Sequence, residues 1–583
     1  MMLKPKLFTT LKDYSKEQFF ADVSAGLIVG VVALPLAIAF GIASGVTPES
    51  GLITAIIAGF LISALGGSRV QIGGPTAAFV IIVYGIVQKY GVEGLTIATI
   101  MAGIILVIMG LAKFGSAIKF IPHPVIVGFT SGIAITIFLS QIKDFLGLKM
   151  GDVPANFIDK FIAYEQHITG VNWYAAIISV ASVLIIVFWK KIPMIGRKIP
   201  GSLIALILAT VAVSLFNLPV ETIGSKFGEL TTIIHAPKIP LIDFETIRNL
   251  IGPATAIAIL AGIEALLSAV VSDGMIGGRH RSNMELVATG IANIFAPIFG
   301  GIPATGAIAR TATNIKNGGR TPVAGITHAI VLLLIVVFFG KLAGLIPLAC
   351  LSAVLMVVAY NMSEWRTFKA ILKSPASDII VLMTTFFLTV VFDLTIAIEI
   401  GMITAVFLFI RRMSLVSNVN IITNELNDDL ADDYEKKDKY DIGSRIVPEG
   451  VEVYEINGPL FFGAAYKFEE AIKQIQKKPK ILIIRLRNVP AIDSTGIRVL
   501  EQVYDDSAKK GIQLILSGVA PQPLIALDKA GLRKKVGDKN ILKNIDDTLN
   551  RAREILNLPK LKRKIEIGVT EVRHVNRGSG LAH

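Results

Sequence analysis

The chain has 583 residues, 53% hydrophobic and only 17% charged, with a mean hydropathy of +0.66 and a formal net charge of +13. Soluble globular proteins average about 45–50% apolar and about 25% charged residues, so this balance argues against a water-soluble enzyme and against disorder. The single cysteine, Cys350, sits in an apolar run, which rules out a disulfide scaffold.

In chain order, residues 1–23 read as a cytoplasmic N-terminal segment. Lys4, Lys6, Lys12 and Lys16, with Asp13 and Glu17 among them, make it too long and too acidic for the start of a signal peptide. Phe19-Phe20 read as an interfacial approach to the first span. Residues 24–413 read as a transmembrane domain in two halves, 24–218 and 251–413. Apolar runs include Ala25–Ala43, Leu95–Leu111, Val125–Leu139, Ala254–Val271 and Val323–Phe339. With the run Leu286–Phe299 and two interrupted ones, Gly73–Val87 and Gly300–Ile315, the count reaches about 14 spans, at about 20 apolar residues per full crossing.

With the N-tail inside, alternation gives the inner face Lys113 and Lys119, Lys190-Lys191 with Arg197-Lys198, Arg279 and Arg281, Lys316 and Arg320, Arg366, Lys369, Lys373 and Arg411-Arg412. The longer outer loops carry balanced charge. Both termini are therefore expected in the cytoplasm. This asymmetry accounts for the net positive charge, and no nucleic-acid partner is inferred.

Two spans are broken alike. Ser68-Arg69-Val70-Gln71-Ile72-Gly73-Gly74-Pro75-Thr76-Ala77-Ala78-Phe79 runs from a short extended piece through two glycines and a proline into an apolar helix. Proline suits a first helical turn, because its missing N–H would be unpaired there, so a helix is expected to start near Pro75, inside the membrane. Phe299 through Thr311 repeats the design with Gly300-Gly301, Pro303 and Thr305. Gly/Pro-interrupted segments at matching places in two halves point to a transporter binding site. A helix N-terminus carries about half a positive charge and several unpaired N–H groups. Two such ends at the bilayer midplane make an anion cradle. The competing reading, that glycine and proline merely kink two helices, is weakened by the pairing.

Arg310 lies about one turn into the second broken helix, where an arginine costs roughly 3 kcal/mol on insertion scales. It suits an anionic ligand; otherwise it snorkels or pairs with a carboxylate. Glu264 lies mid-span in Ala261-Gly262-Ile263-Glu264-Ala265-Leu266-Leu267-Ser268. A carboxyl that exchanges a proton beside an anion site is a coupling element; the alternative is a structural partner for Arg310 or for backbone donors. Asp393 and Glu399 flank the last hairpin as interfacial charges. Asp273, Arg279, His280 and Arg281 read as a solvated inner loop.

Residues 414–449, with the acidic run Asn424 through Asp429, read as a linker. Residues 450–558 alternate strands (Val451–Ile456, Lys480–Leu486, Ile512–Leu516) with helices (Phe462–Ile475, Ser494–Ala508, Pro521–Ala530), which suggests a mainly parallel sheet. Asp493 or Ser494 reads as a helix N-cap. Residues 559–583 form a basic tail, disordered or touching anionic lipid. No nucleophile–base pair, metal-ligand cluster or phosphate loop is visible, so no enzyme, metal or cofactor is expected.

Together, Gly73–Ala78, Phe129-Thr130-Ser131-Gly132-Ile133, Gly262–Ala269 and Pro303–Asn314 resemble the SulP family of anion transporters. The resemblance covers nearly the whole chain. Asn361-Met362-Ser363-Glu364 and Gly458–Phe462 look like the bacterial dicarboxylic-acid transporter branch; related branches carry sulfate or bicarbonate. It implies a polytopic α-helical membrane protein of two inverted seven-span repeats, with a core and gate as in uracil permeases. It also implies elevator-like alternating access, a homodimer and a cytoplasmic α/β STAS domain. By position, Thr76, Ala77 and Ala78 would line the substrate site from the first half, and Gly306, Ala307, Ile308, Ala309 and Arg310 from the second. Glu264 would occupy the coupling-ion position. Sodium-coupled bicarbonate relatives look to have Asp there, so Glu leans toward protons. They also look to have a hydroxyl residue where this chain has Ile308, which weakens a bicarbonate assignment. The STAS domain is shared with anti-sigma-factor antagonists, whose phosphorylated serine maps to Ser494.

The expected function is secondary active, proton-coupled transport of a small anion (sulfate, C4-dicarboxylate or bicarbonate) across the inner membrane. Membrane lipid, a second copy and a cytoplasmic protein on the STAS domain are the expected partners. The alternatives are an uncoupled anion channel and a non-transporting anion sensor signalling through the STAS domain.

Overall fold

The computed structural model describes the chain except residues 1–2, 117–121, 152, 155, 190, 193–199, 229–236, 238–239, 241–242, 393, 417, 422–446, 474–478 and 561–583. Lys119, Lys190, Arg197-Lys198, Asp393, the acidic run of the linker and nearly all of the basic tail lie outside the described residues. The chain divides near residue 405 into two compact units.

Helices of nine residues or more are numbered in chain order. The first unit opens with α1 (Lys16–Ala43), whose N-cap Ser15 accepts from Gln18 N at 3.1 Å, and α2 (Pro48–Leu65), which has proline in its first turn. A two-residue strand, β1 (Gly73–Gly74), leads into α3 (Ala77–Leu111). Gly91 lies inside α3 at φ +69°, a region glycine reaches without strain, and breaks it into a short first half and a longer second half. Then come α4 (His123–Ser140), α5 (Phe157–His167), α6 (Trp173–Trp189), α7 (Gly201–Phe216), α8 (Phe244–Ile276) and α9 (Ser282–Ile298). A second two-residue strand, β2 (Thr305–Gly306), leads into the short α10 (Ile308–Lys316). The series closes with α11 (Pro322–Ala343), α12 (Leu348–Met362), α13 (Ala376–Val391) and α14 (Leu394–Val416).

Among the described residues, seven helices are long and apolar enough to cross a membrane, and eight if the pair Phe157–Gly170 and Trp173–Trp189, bent by 113°, is one span. The expected count was larger because it also included half-length segments. α7 and α13 are apolar but only 16 residues each, α10 has nine, and α3 holds two runs in one helix.

The helices of this unit fall into two packing groups. In one, α1, α2, α3, α8, α9, α10 and α11 pack on each other; in the other, α4, α6, α7, α12 and α13 do so, and α1 touches both α7 and α12. In the first group α3 and α9 cross glycine on glycine. A Cβ on Gly103 would come 2.6 Å from Gly290 O, and a Cβ on Gly290 would come 2.6 Å from Gly103 O. Such close backbone approach drives association in a bilayer, where burial of apolar surface does not.

Two buried carboxylates tie loops together. Asp22 accepts from Tyr14 Oη (2.9 Å), Gln18 Nε2 (3.1 Å), Arg320 N (2.7 Å), Thr321 N (3.2 Å) and Thr321 Oγ1 (2.6 Å). Glu285 accepts from Gly67 N (2.7 Å) and Ser68 N (2.8 Å). The inner loop expected to be solvated leaves Arg279 exposed and is also pinned by hydrogen bonds. The His280 ring lies 2.7 Å from Asp273 and 2.9 Å from Ser282 Oγ, and Arg281 donates to Lys4 O at 2.6 Å.

The second unit contains a five-stranded sheet in the order β3 (Asn418–Ile421), β4 (Val451–Asn457), β5 (Ile481–Asn488), β6 (Gln513–Ser517), β7 (Ile541–Leu542). β3 is antiparallel to β4 and the other pairs are parallel. Helices α15 (Phe462–Lys473), α16 (Ser494–Lys509), α17 (Pro521–Lys529) and α18 (Ile545–Ile555) accompany the strands. The mainly parallel sheet matches the sequence reading. β3 does not: it occupies residues read as linker, because Asn418-Val419-Asn420-Ile421 alternates over only four residues, the shortest run in which alternation argues a strand.

Candidate functional site

The two broken spans meet. β1 pairs antiparallel with β2, Gly73 opposite Gly306 and Gly74 opposite Thr305. Because the strands run in opposite directions, α3 and α10 leave the ladder from opposite ends, each with its N-terminus against it. Neither N-cap residue, Thr76 or Ala307, caps its helix through a side chain. The N–H groups of Ala77 and Ala78 at the start of α3, and of Ile308 and Ala309 at the start of α10, are therefore left for another acceptor.

Neighbouring helices hold the extended backbone in place. Ile72 O accepts from Ala307 N (2.9 Å), and Ile72 N donates to Thr311 Oγ1 (3.0 Å). Asn314 Nδ2 donates to Val70 O (2.9 Å), and Thr305 Oγ1 donates to Ala261 O (2.8 Å). Asn293 grips Ala304 by both N–H and C=O at 2.8 Å, and Thr54 Oγ1 accepts from Ile302 N at 2.6 Å. Each satisfies a backbone group that water cannot reach at this depth.

Glu264, from α8, accepts from Thr76 Oγ1 at 2.8 Å, at the tip of α3. Arg310, the third residue of α10, is only 3% exposed, and its guanidinium donates to Pro75 O. Nη1 of the same group lies 2.5 Å from where a Cβ on Gly74 would stand, so any larger residue there would displace the guanidinium. Glu264 and Arg310 form no ion pair within 4 Å; each reaches instead to the approach of the first half-helix. Ala77, Ala78, Gly306 and Ala307 are buried around the ladder, Thr76 and Glu264 are half-buried, and Ile308 and Ala309 are exposed.

One local expectation needs correcting. Neither proline sits in a first helical turn: α3 begins at Ala77 and α10 at Ile308, beyond Pro75 and Pro303. Pro75 acts through its carbonyl, as the acceptor for Arg310. Sequence reading also missed Gln71, whose amide lies over Gly306 so closely that a Cβ there would come 2.0 Å from Nε2. It missed Asn293, Asp22 and Glu285 as well, single polar residues with no repeated spacing to mark them. In the second unit Asp493 Oδ1 accepts from Gly496 N at 2.8 Å and caps α16, while Ser494 is exposed.

Residues 19–385 match the model of the sulfate permease family, and residues 445–552 match the STAS domain. YvdB of Bacillus subtilis (strain 168), provisionally named a sulfate transporter, is 42% identical over 538 residues, covering 92% of this chain and 98% of its own length. The bicarbonate transporter BicA of Picosynechococcus sp. is 29% identical over 542 residues, covering 91% and 94%. The transmembrane domain of a cyanobacterial BicA matches with a TM-score of 0.60 at 29% identity, over 67% of this chain and 98% of that one. The murine Slc26a9 anion transporter in its inward-facing state matches at 0.83 and 19% identity, over 95% and 94%, which shows a shared fold. A polytopic helical domain built around two interrupted spans, followed by an α/β sheet domain, makes this chain an anion transporter of the sulfate permease family with a STAS domain at its C-terminal end, and not an enzyme.

Proposed function

We propose that the protein is a secondary active transporter of sulfate or a C4-dicarboxylate, with bicarbonate the less favoured cargo, working in the inner membrane with both termini in the cytoplasm. The anion is held between the N-termini of α3 and α10, by Thr76, Ala77 and Ala78 on one side and Gly306, Ala307, Ile308, Ala309 and Arg310 on the other. Exposed Ile308 offers no hydroxyl to a bicarbonate, whereas Arg310 supplies a full positive charge to an oxyanion. The α1–α3 and α8–α11 group moves against the α4, α6, α7, α12 and α13 group in an elevator-like step.

The observation that carries the reading is the hydrogen bond from Thr76 to Glu264. It ties an exchangeable carboxyl to the half-helix tip that would face the anion, so a change in its protonation alters that tip. Coupling to protons follows. The protein acts as a homodimer, and its STAS domain engages a cytoplasmic protein partner.

Purified protein in liposomes, given an inward proton gradient and radiolabelled sulfate with competing dicarboxylates and bicarbonate, tests this. Gradient-dependent uptake, competed by one of the three, is expected. Voltage-driven current without proton movement would make it a channel. Binding without flux of any anion would make it a sensor.

A further inference from the structure

The site above leaves unexplained an apolar hollow in the membrane unit. A crevice of about 640 Å³ lies between α7 on one side and α1, α2 and α11 on the other, at the seam between the two packing groups. Its walls include Leu52, Leu206 and Val336, which are 1%, 7% and 4% exposed. Its rim includes Leu215 and Phe339, which are 69% and 57% exposed on helices of a membrane domain. The hollow is therefore continuous with the surface that meets lipid.

One polar atom breaks the apolar lining. Thr210 Oγ1, on α7, is buried and has no hydrogen-bond partner. A threonine inside a helix ordinarily returns its hydroxyl to the carbonyl four residues earlier, as Thr54, Thr99 and Thr385 do here. Thr210 does not, and a buried hydroxyl without a partner costs about 1–3 kcal/mol. The group is free to donate to an acceptor inside the crevice. A carbonyl oxygen on an otherwise apolar chain meets both demands. Water meets the second only, since walls of leucine and valine offer it no further partners.

We propose that this crevice is a specific site for one phospholipid acyl chain, with an ester carbonyl of that lipid accepting from Thr210. A chain lodged there fills the seam across which the two helix groups would slide. That consequence rests on the transport reading above; the occupancy does not. The lipid would hold the two groups at one spacing and leave, or shift, when the seam narrows.

The test uses the full chain in liposomes of phosphatidylethanolamine and phosphatidylglycerol, with a minor fraction of phosphatidylglycerol bearing a photoactivatable diazirine in one acyl chain. Adducts are mapped by peptide mass spectrometry, without substrate and without flux. Adducts on the enclosed Leu52, Leu206 or Val336, besides those on exposed Phe339, are expected. Gly340→Leu, which pushes a side chain into the crevice, should remove the enclosed adducts and spare those at Phe339. Thr210→Val, nearly isosteric, should lower the enclosed adducts several-fold. Adducts confined to exposed residues in the wild-type protein would overturn the site. So would enclosed adducts that neither variant changes.

Discussion

The guanidinium of Arg310 donates to the carbonyl of Pro75, 235 positions earlier in the chain. One contact thus joins the half-helix of the second half to the approach of the first, and fixes a positive charge beside a backbone bend. Arg310→Ala removes the charge and leaves the Pro75 carbonyl without its partner, at about 1–3 kcal/mol. Anion uptake in proteoliposomes should vanish. Arg310→Lys keeps a charge but not the planar fork, and should retain a small fraction of uptake.

Gly74 lies at φ +146° against that guanidinium. Gly74→Ala should fold, judged by gel filtration and thermal melting, yet lose uptake at least tenfold, because the added methyl displaces Arg310. Wild-type rates in this variant would show that the guanidinium position does not matter.

Thr76 and Glu264 form the proposed coupling pair. Glu264→Gln should abolish proton-driven uptake while sparing anion exchange, measured with and without a pH gradient. Thr76→Val should weaken the response to the gradient without abolishing it. An unaltered pH dependence in Glu264→Gln would refute the coupling role.

The glycine crossing of α3 and α9 leaves no room for a side chain. Gly103→Val should destabilise the membrane unit by about 1–3 kcal/mol, the usual cost of overpacking, and lower its melting temperature in detergent. Melting of the STAS unit, followed separately, should not change.

In the STAS unit, burial and the neighbouring Glu452 carboxylate push Tyr454 up to about 12. The folded state therefore holds this proton after the unfolded chain has begun to lose it near 10. The associated stability is present below about 10 and is lost as pH rises toward 12. Tyrosinate absorbance followed on alkaline titration should contain a late component that Tyr454→Phe removes.

The legible part of this molecule was whatever repeats. Long apolar runs marked α1, α3, α8 and α11, and alternation marked β4, β5 and β6. The matched Gly-Pro breaks marked the residues that structure brings to one ladder. Arg310 and Glu264 stood out because charge at membrane depth is costly. Residues that act once were silent: Asn293 and Asp22 differ from any solvated polar residue only by what the fold places opposite them. The proline rule placed the start of α3 two residues early, since it knows nothing of a carbonyl needed as an acceptor. Half-length helices entered the expected span count because hydropathy measures greasiness, not extent.

The ladder has one more consequence, for biosynthesis. Residues 73–76 leave the ribosome long before the strand that pairs with them exists. Until Thr305 and Gly306 arrive, the ladder groups of Gly73 and Gly74 have no mate, and lipid offers none. The nascent first half must then wait in a sheltered, hydrated place, beside the insertion machinery, and lock only when the second half has been made. Chains truncated before residue 305 should be recognised by quality-control proteases as unfinished, however well their individual helices insert.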